Sequence, residues 1–579
     1  MPPDGARRDE TPRTSAAAGG PPTRLSPTFH TDTFARDHLP PLEQWPRLEF
    51  TTDLLRYPDR LNAAGELIDA AVAAFGSDRP AIRTDAGETW TYGDLQRRAN
   101  QVAQVLVEDL GLVSGNRVLL RSPNNPWMVA CWLGVLKAGG IAVTTMSALR
   151  ARDLAPVVAR SRPAIALVDH RFVADVEAVR GSHAPGLAVV PFGGSGDDDL
   201  LARCAAKPGV FTNVLTAADD VALFGPTSGS TGTPKITAHF HRDVLSIDAT
   251  FGRGILRLTA DDVVACTAPV GFTFGLGMLV VFPLRAGACV FLVESATPTR
   301  LADIVEEHGV TVLATAPTAY RQMLRAGKID QLRGLRVAVS AGEHIPQGVW
   351  EEVEAAIGLR IVDGIGATEL LHIFISAAGD DIRPGATGKP VPGFRATVLG
   401  PAGEELSPGV EGRLAVIGPV GCRYLDDDRQ AAYVVDGWNV TGDTFYRDED
   451  GYFYYCSRTD DMIVSSGYNI GGPEVEAAIN THPDVMESAV VAEPDPERGS
   501  IVCAFIVLAD GTEGDAAKAK EIQDYVKQQL APYKYPRDIR FRASLPRNPS
   551  GKLQHFVLRR LIEEEQAGDA AACAGRGDL

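Results

Sequence analysis

The residues best suited to chemistry stand in one short run, Thr227-Ser228-Gly229-Ser230-Thr231-Gly232-Thr233-Pro234-Lys235, directly after the apolar stretch Val221–Phe224. Such a loop can turn backbone N–H groups and hydroxyls toward a polyphosphate while the lysine supplies charge. A solvated Ser/Thr/Gly turn is the plain alternative. The run is not the G-x-x-x-x-G-K-[ST] phosphate loop, because Lys235 follows Pro234 and no Ser or Thr comes after it. Further runs carry acids, hydroxyls and basic groups beside glycines: Asp363-Gly-Ile-Gly-Ala-Thr-Glu369, Gly437-Trp-Asn-Val-Thr-Gly-Asp443, Ser457-Arg-Thr-Asp-Asp-Met-Ile463 and Leu545-Pro-Arg-Asn-Pro-Ser-Gly-Lys552. Taken singly, each reads as a turn, a helix cap, a charged linker or an exposed lysine.

Positioning these runs calls for a particular alternation of elements. A helix is expected from Thr91, whose hydroxyl can cap with Asp94 three residues on, while Leu95, Ala99, Val102 and Leu106 repeat at helical spacing. A strand at Val118–Leu120, a helix at Met128–Lys137, a Gly139-Gly140 break and a strand at Ile141–Thr144 continue a β-α-β rhythm, which returns at Ala164–Val168, Val263–Thr267 and Val312–Ala314. From Val398 the texture changes to short strands broken by Gly and Pro. Beyond Ser457 a small α+β pattern follows, with helices at Pro473–Thr481 and Ala516–Leu530 and strands near Ser488–Ala492 and Val502–Leu508. The expected fold class is α/β: a large N-terminal domain of parallel-type sheets with helices and a β-rich subdomain, then a small α+β C-terminal domain. The expected divisions are a disordered extension at 1–30, the large domain at 31–459, the small domain at 460–565 and a loose Ala/Gly-rich tail at 566–579.

Composition narrows the function. Acidic residues outnumber basic ones, 74 to 56, for a net charge of −18, which argues against a nucleic-acid or anionic-membrane partner. Any polyanionic ligand needs a local site. The eight cysteines show no C-x-x-C spacing for zinc or a redox pair, so reduced thiols in a cytoplasmic enzyme are expected. The polar N-terminus lacks the apolar core of a signal peptide, and no later stretch is long and apolar enough to span a membrane.

Together and in order, these runs resemble the adenylate-forming (AMP-binding) superfamily of acyl-CoA synthetases, adenylation domains and luciferases. The resemblance covers roughly residues 67–560. It implies that Thr227, Ser228, Gly229, Ser230, Thr231, Gly232 and Lys235 surround the ATP phosphates, and that Gly342, Asp363 and Gly364 lie with the nucleotide. Thr368 would meet the α-phosphate, Glu369 would hold Mg²⁺, Asp443 would accept from both ribose hydroxyls, and Arg458 would be a second ribose or phosphate contact. Lys552 would serve adenylation from a mobile lid pivoting at Asp460. Rotation would then bring Gly467 to the pantetheine channel, unless that glycine simply ends a strand.

Phe272-Thr-Phe-Gly-Leu-Gly277, Ala316-Pro-Thr-Ala-Tyr320, Glu369-Leu-Leu-His-Ile-Phe374, Ser465-Ser-Gly-Tyr-Asn-Ile-Gly-Gly-Pro-Glu-Val-Glu476 and Ala531-Pro-Tyr-Lys-Tyr-Pro536 are similar to the aryl-CoA ligase branch, benzoate and 2-aminobenzoate ligases in particular. On that resemblance Thr273, Phe274, Gly364 and His372 line an acyl pocket, although a histidine beside Ile373 and Phe374 also reads as a core residue. The implied activity is an acid–thiol ligase using ATP, Mg²⁺ and coenzyme A on a small aromatic carboxylic acid. The same adenylation machinery would serve another acceptor: a carrier protein, an amine, or nitrite in a diazotisation. A homodimer is compatible with the sequence, and Gln554-His555 departs from the basic residue frequent after the lysine loop.

Overall fold

In the computed structural model, residues 24–227, 234–342, 345, 347–458, 462–465, 468–495, 498–530, 533–547 and 552–574 are described. A six-stranded sheet runs Ala188–Phe192, Ile165–Asp169, Arg117–Ser122, Ile141–Met146, Val221–Thr227, Lys235–Phe240. Its first five strands are parallel and the last returns antiparallel. Arg117–Ser122 is buried along its whole length, as a central parallel strand covered on both faces must be.

A nine-stranded sheet follows, with Ile361–Gly366, Val337–Ala341, Val312–Thr315, Val263–Cys266, Cys289–Leu292 and Pro80–Thr84 parallel at its centre. Ile373–Ser376 and Lys389–Pro390 extend it antiparallel beyond Ile361–Gly366. Helix Pro126–Lys137 is buried on nearly every side and packs against helix Tyr92–Gln104. That approach needs Gly134, where a Cβ would fall 2.7 Å from Val102 and 2.9 Å from the Ala99 carbonyl oxygen. Thr91 and Asp94 form the expected capping box at the start of Tyr92–Gln104.

The β-rich subdomain is a five-stranded antiparallel sheet built from Arg395–Leu399, Gly412–Ile417, Val434–Val435, Trp438–Arg447 and Phe453–Arg458. The segment around Arg423 joins it to the first sheet: Ala238 N–H donates to the Arg423 carbonyl and Leu425 N–H to the Ile236 carbonyl, both at 2.8 Å. The Arg423 guanidinium, wholly buried, donates to Asp243 at 2.7 Å and lies 4.1 Å over the Phe240 ring.

The smaller C-terminal unit has a three-stranded sheet, Val485–Asp495, Gly499–Leu508 and Asp538–Phe541, a hairpin Met462–Ser465/Tyr468–Gly471, and helices Gly472–Asn480, Ala516–Gln529 and His555–Ala574. Its apolar clusters are its own. It touches the large unit where Arg325 donates to the carbonyls of Val485 at 2.9 Å and Met486 at 3.1 Å. Among the described residues no helix is long and apolar enough to cross a membrane.

Two terminal expectations need correction. Within the segment read as a disordered extension, Ser26 N–H donates to Asp219 and Phe29 N–H to Asp220, both at 3.0 Å, and His30 is buried, so the end of that segment is bound to the large domain. The final helix continues to Ala574 through much of the segment read as a loose tail, because alanine favours helix whatever its packing.

Arg423→Ala would leave Asp243 buried without its cation and is expected to cost about 3–5 kcal/mol. A lowered urea midpoint would record it, and unchanged stability would mean the pair does not hold the subdomain in place.

Candidate active site

The strands Val221–Thr227 and Lys235–Phe240 pair so that Thr227 faces Lys235, closing the phosphate-loop run between them. Ser228, Gly229, Ser230, Thr231 and Gly232 lie outside the described residues. Against the hairpin sits the short 3₁₀ turn Thr368–Leu370. Gly225 admits it: a Cβ there would come 2.8 Å from the Thr368 methyl. From the same face of the hairpin His239, fully enclosed, donates from Nε2 to the Thr368 carbonyl at 2.8 Å.

Lys235 Nζ donates to the Tyr424 hydroxyl at 2.7 Å, and that hydroxyl donates to Glu369 Oε1. Lys235 Nζ lies 3.7 Å from the same carboxylate oxygen and 4.5 Å over the Tyr424 ring. Burial, reinforced by the neighbouring Glu369 charge, pushes the Tyr424 phenol far above its ordinary range, so it stays a neutral donor. The candidates Thr227, Lys235, Thr368 and Glu369 thus converge, and Tyr424 and His239 join them unannounced by the sequence.

Just beyond Glu369 the chain makes a strained step. Leu371, completely buried, takes φ +68° and ψ −30°, a conformation that costs a non-glycine residue about 1–3 kcal/mol. The step leads into His372, whose ring lies 5.1 Å from Phe251, 5.4 Å from Phe274 and 4.7 Å, edge-on, from Phe282. Neither ring nitrogen of His372 makes a hydrogen bond of good geometry, the Phe274 backbone giving it only a weak one, and burial pushes its pKa down to about 3, so the ring is neutral. Gly277 is required beside it, because a Cβ would fall 2.4 Å from the imidazole. Thr273 begins the short helix that carries Phe274. The structure therefore joins Phe274 and His372, and it adds Phe251 and Phe282, which no motif pointed to.

On the neighbouring strands Ser340 faces Asp363 and Ala341 faces Gly364, which puts Gly342, at φ +93°, just past the strand end beside them. The Asp363 carboxyl is pushed up to about 7 by burial, and its Oδ1 has no partner. Asp443 is buried and is the cross-strand partner of Arg458. Lys552 is exposed on the small unit, beside the Arg547–Leu553 bridge. Asp460 and Gly467 lie outside the described residues.

Three buried histidines set the acid limit of this region: His239 is lowered to about 4, and His241 and His372 to about 3, all by burial. Below the ordinary value of 6.5 the unfolded chain binds protons that the folded one refuses, so their contribution is complete above that pH and is lost as pH falls toward 4 and 3. Asp363, held protonated up to about 7, acts in the opposite direction but is one group against three. Melting temperature should fall between pH 7 and pH 5. His239→Gln, which retains a donor for Thr368, should flatten the slope by up to about 1.4 kcal/mol per pH unit; an unchanged slope would contradict a neutral His239.

Residues 68–423 match the family model described as AMP-binding enzyme, and 474–552 match that of the AMP-binding enzyme C-terminal domain. A benzoate–CoA ligase of Thauera aromatica is 34% identical over 516 residues, 88% of this chain and 98% of that protein. The mitochondrial acyl-coenzyme A synthetase ACSM3 of Mus musculus is 35% identical over 81% of this chain and 84% of its own. Among solved structures, the anthranilate CoA ligase AuaEII in complex with anthranoyl-AMP superposes with a TM-score of 0.84 at 29% identity, covering 89% of this chain and 100% of that one.

Proposed function

We propose, from the premise that this chain belongs to the AMP-binding enzyme family and is an AMP-forming acid–CoA ligase, that its acid is a small aromatic carboxylate of the benzoate or 2-aminobenzoate type. The observation that carries this is His372 in its ring of Phe251, Phe274 and Phe282, with both nitrogens buried and without a well-formed hydrogen bond. Flat rings favour a flat substrate, and a neutral imidazole without a well-formed hydrogen bond offers a donor or an acceptor to a ring substituent or to the carboxylate. The names of the benzoate–CoA and anthranilate–CoA ligase relatives support the same class.

The reaction has two halves. The acid's carboxylate oxygen attacks the α-phosphorus of ATP and pyrophosphate leaves. The coenzyme A thiol then attacks the acyl carbon and AMP leaves. The first half drives an anion onto an anion, so catalysis requires donors and cations placed where charge accumulates. Thr227, the loop 228–232 and Lys235 take the phosphates, Thr368 meets the α-phosphate, Asp443 and Arg458 hold the ribose, and Gly342, Asp363 and Gly364 lie along the base. Thr273 and Gly364 complete the acyl pocket. Glu369 suits Mg²⁺, which is held by few carboxylates together with substrate phosphates; the protein engages its Oε1 through Tyr424. When bound, that ion supplies charge neutralisation on the phosphates.

Lys552, a long point charge on the lid, serves the first half only. Rotation about Asp460 between a domain at 31–459 and one at 460–565 withdraws it and opens the thiol channel at Gly467. The enzyme acts in the cytoplasm.

AMP release should depend on benzoate or 2-aminobenzoate and coenzyme A in a panel that includes octanoate; turnover of octanoate with no aromatic acid accepted would overturn the aromatic reading. Lys552→Ala should abolish adenylation yet leave thioester formation from a supplied aroyl adenylate largely intact. Equal loss in both halves would make the lysine structural.

A further inference from the structure

We infer that Tyr424 is a positioning residue for adenylation: its hydroxyl holds Glu369 and Lys235 apart at a fixed separation, keeping the acid available to a divalent cation. The inference rests on the metal role proposed above for Glu369, and it concerns a residue outside every motif that pointed to the function.

The chemistry of the three groups fixes the direction of each bond. An ammonium can only donate, so the phenol oxygen accepts from Lys235, and its single hydrogen goes to Glu369 Oε1. The phenol cannot swing away. Tyr424 is completely buried, its N–H donates to Gln430 at 2.9 Å, and its ring meets Tyr433 edge-on at 5.7 Å. The backbone on either side bonds to Ile236 and Ala238, the strand that begins with Lys235, so tyrosine and lysine are held in register by sheet pairing. Glu369 reaches the same point from the turn packed on Gly225.

Already a long ion pair at 3.7 Å, the two charges in a partly dehydrated site would otherwise close to a shorter, directly hydrogen-bonded contact. With the phenol bonded to both, one carboxylate oxygen is committed to a neutral donor and the group is held in a single orientation. Without the hydroxyl, Lys235 can close on Glu369 and compete with the cation.

The test compares wild type, Tyr424→Phe, Lys235→Met and the double variant by two readouts. One is Mn²⁺ binding to the nucleotide-free enzyme by electron paramagnetic resonance; the other is the Mg²⁺ concentration giving half-maximal acid-dependent AMP formation. Tyr424→Phe should weaken Mn²⁺ binding and raise the Mg²⁺ requirement by about 10- to 100-fold, the range for losing a hydrogen bond to a charged group. Thioester formation from supplied aroyl adenylate should stay within about twofold, since adenylation alone uses the ion. The double variant should bind Mn²⁺ more tightly than Tyr424→Phe, because the competing ammonium is gone. A merely structural tyrosine would instead leave the double variant at least as impaired, which overturns the inference, as would unchanged Mn²⁺ binding in folded Tyr424→Phe. Should no acid be adenylated by wild type, the substrate reading fails, while the Mn²⁺ arm still decides the role of Tyr424.

Discussion

Lys235 and Glu369 carry opposite charges 3.7 Å apart at the mouth of a loop suited to phosphates, with the Tyr424 phenol bonded to both. Three separate stretches of chain must meet for that to happen. The hairpin supplies Lys235, the turn after Ile361–Gly366 supplies Glu369, and the segment leading into the β-rich subdomain supplies Tyr424. The buried Arg423–Asp243 pair, one residue away from Tyr424, ties the third stretch to the first. Its cost of desolvation is offset by a geometry that the remaining site inherits.

Close packing around this point is maintained by what is missing as much as by what is present. Gly225 and Gly277 each stand where a Cβ would collide, the first with Thr368 and the second with His372. Between those contacts lies Leu371, in a backbone conformation that leucine rarely adopts. A short, overdetermined path of Thr368, Glu369, Leu370, Leu371 and His372 therefore runs from the Lys235 hairpin to the aromatic cluster around His372. Shifts in one half have little slack before they reach the other.

Much of this was legible in the sequence where the signal is local. The cap at Thr91 and Asp94, the strand–helix alternation, the switch to short strands after Val398 and the glycine-rich runs all depend on neighbours within a few residues. The roles proposed for groups lying far apart in the chain come from the family resemblance. Tyr424, His239, Phe251 and Phe282 were not legible, because each acts through a partner dozens of residues away or more, and nothing in its local sequence marks it. The pairing of Ile236 with Leu425 and the packing of the turn on Gly225 reveal the first two, and the rings around His372 the last two. The binding of Ser26 and Phe29 to Asp219 and Asp220 was hidden for the same reason: a polar, proline-rich composition reads as unstructured until its long-range acceptors are known.

The most direct test of the account follows one oxygen. Enzyme incubated with MgATP, coenzyme A and benzoate or 2-aminobenzoate labelled with ¹⁸O in the carboxylate should yield AMP carrying one ¹⁸O, because the acid's oxygen bonds to the α-phosphorus and stays there when the thiol takes the acyl group. Label in pyrophosphate or inorganic phosphate, or thioester formed with unlabelled AMP, would contradict it.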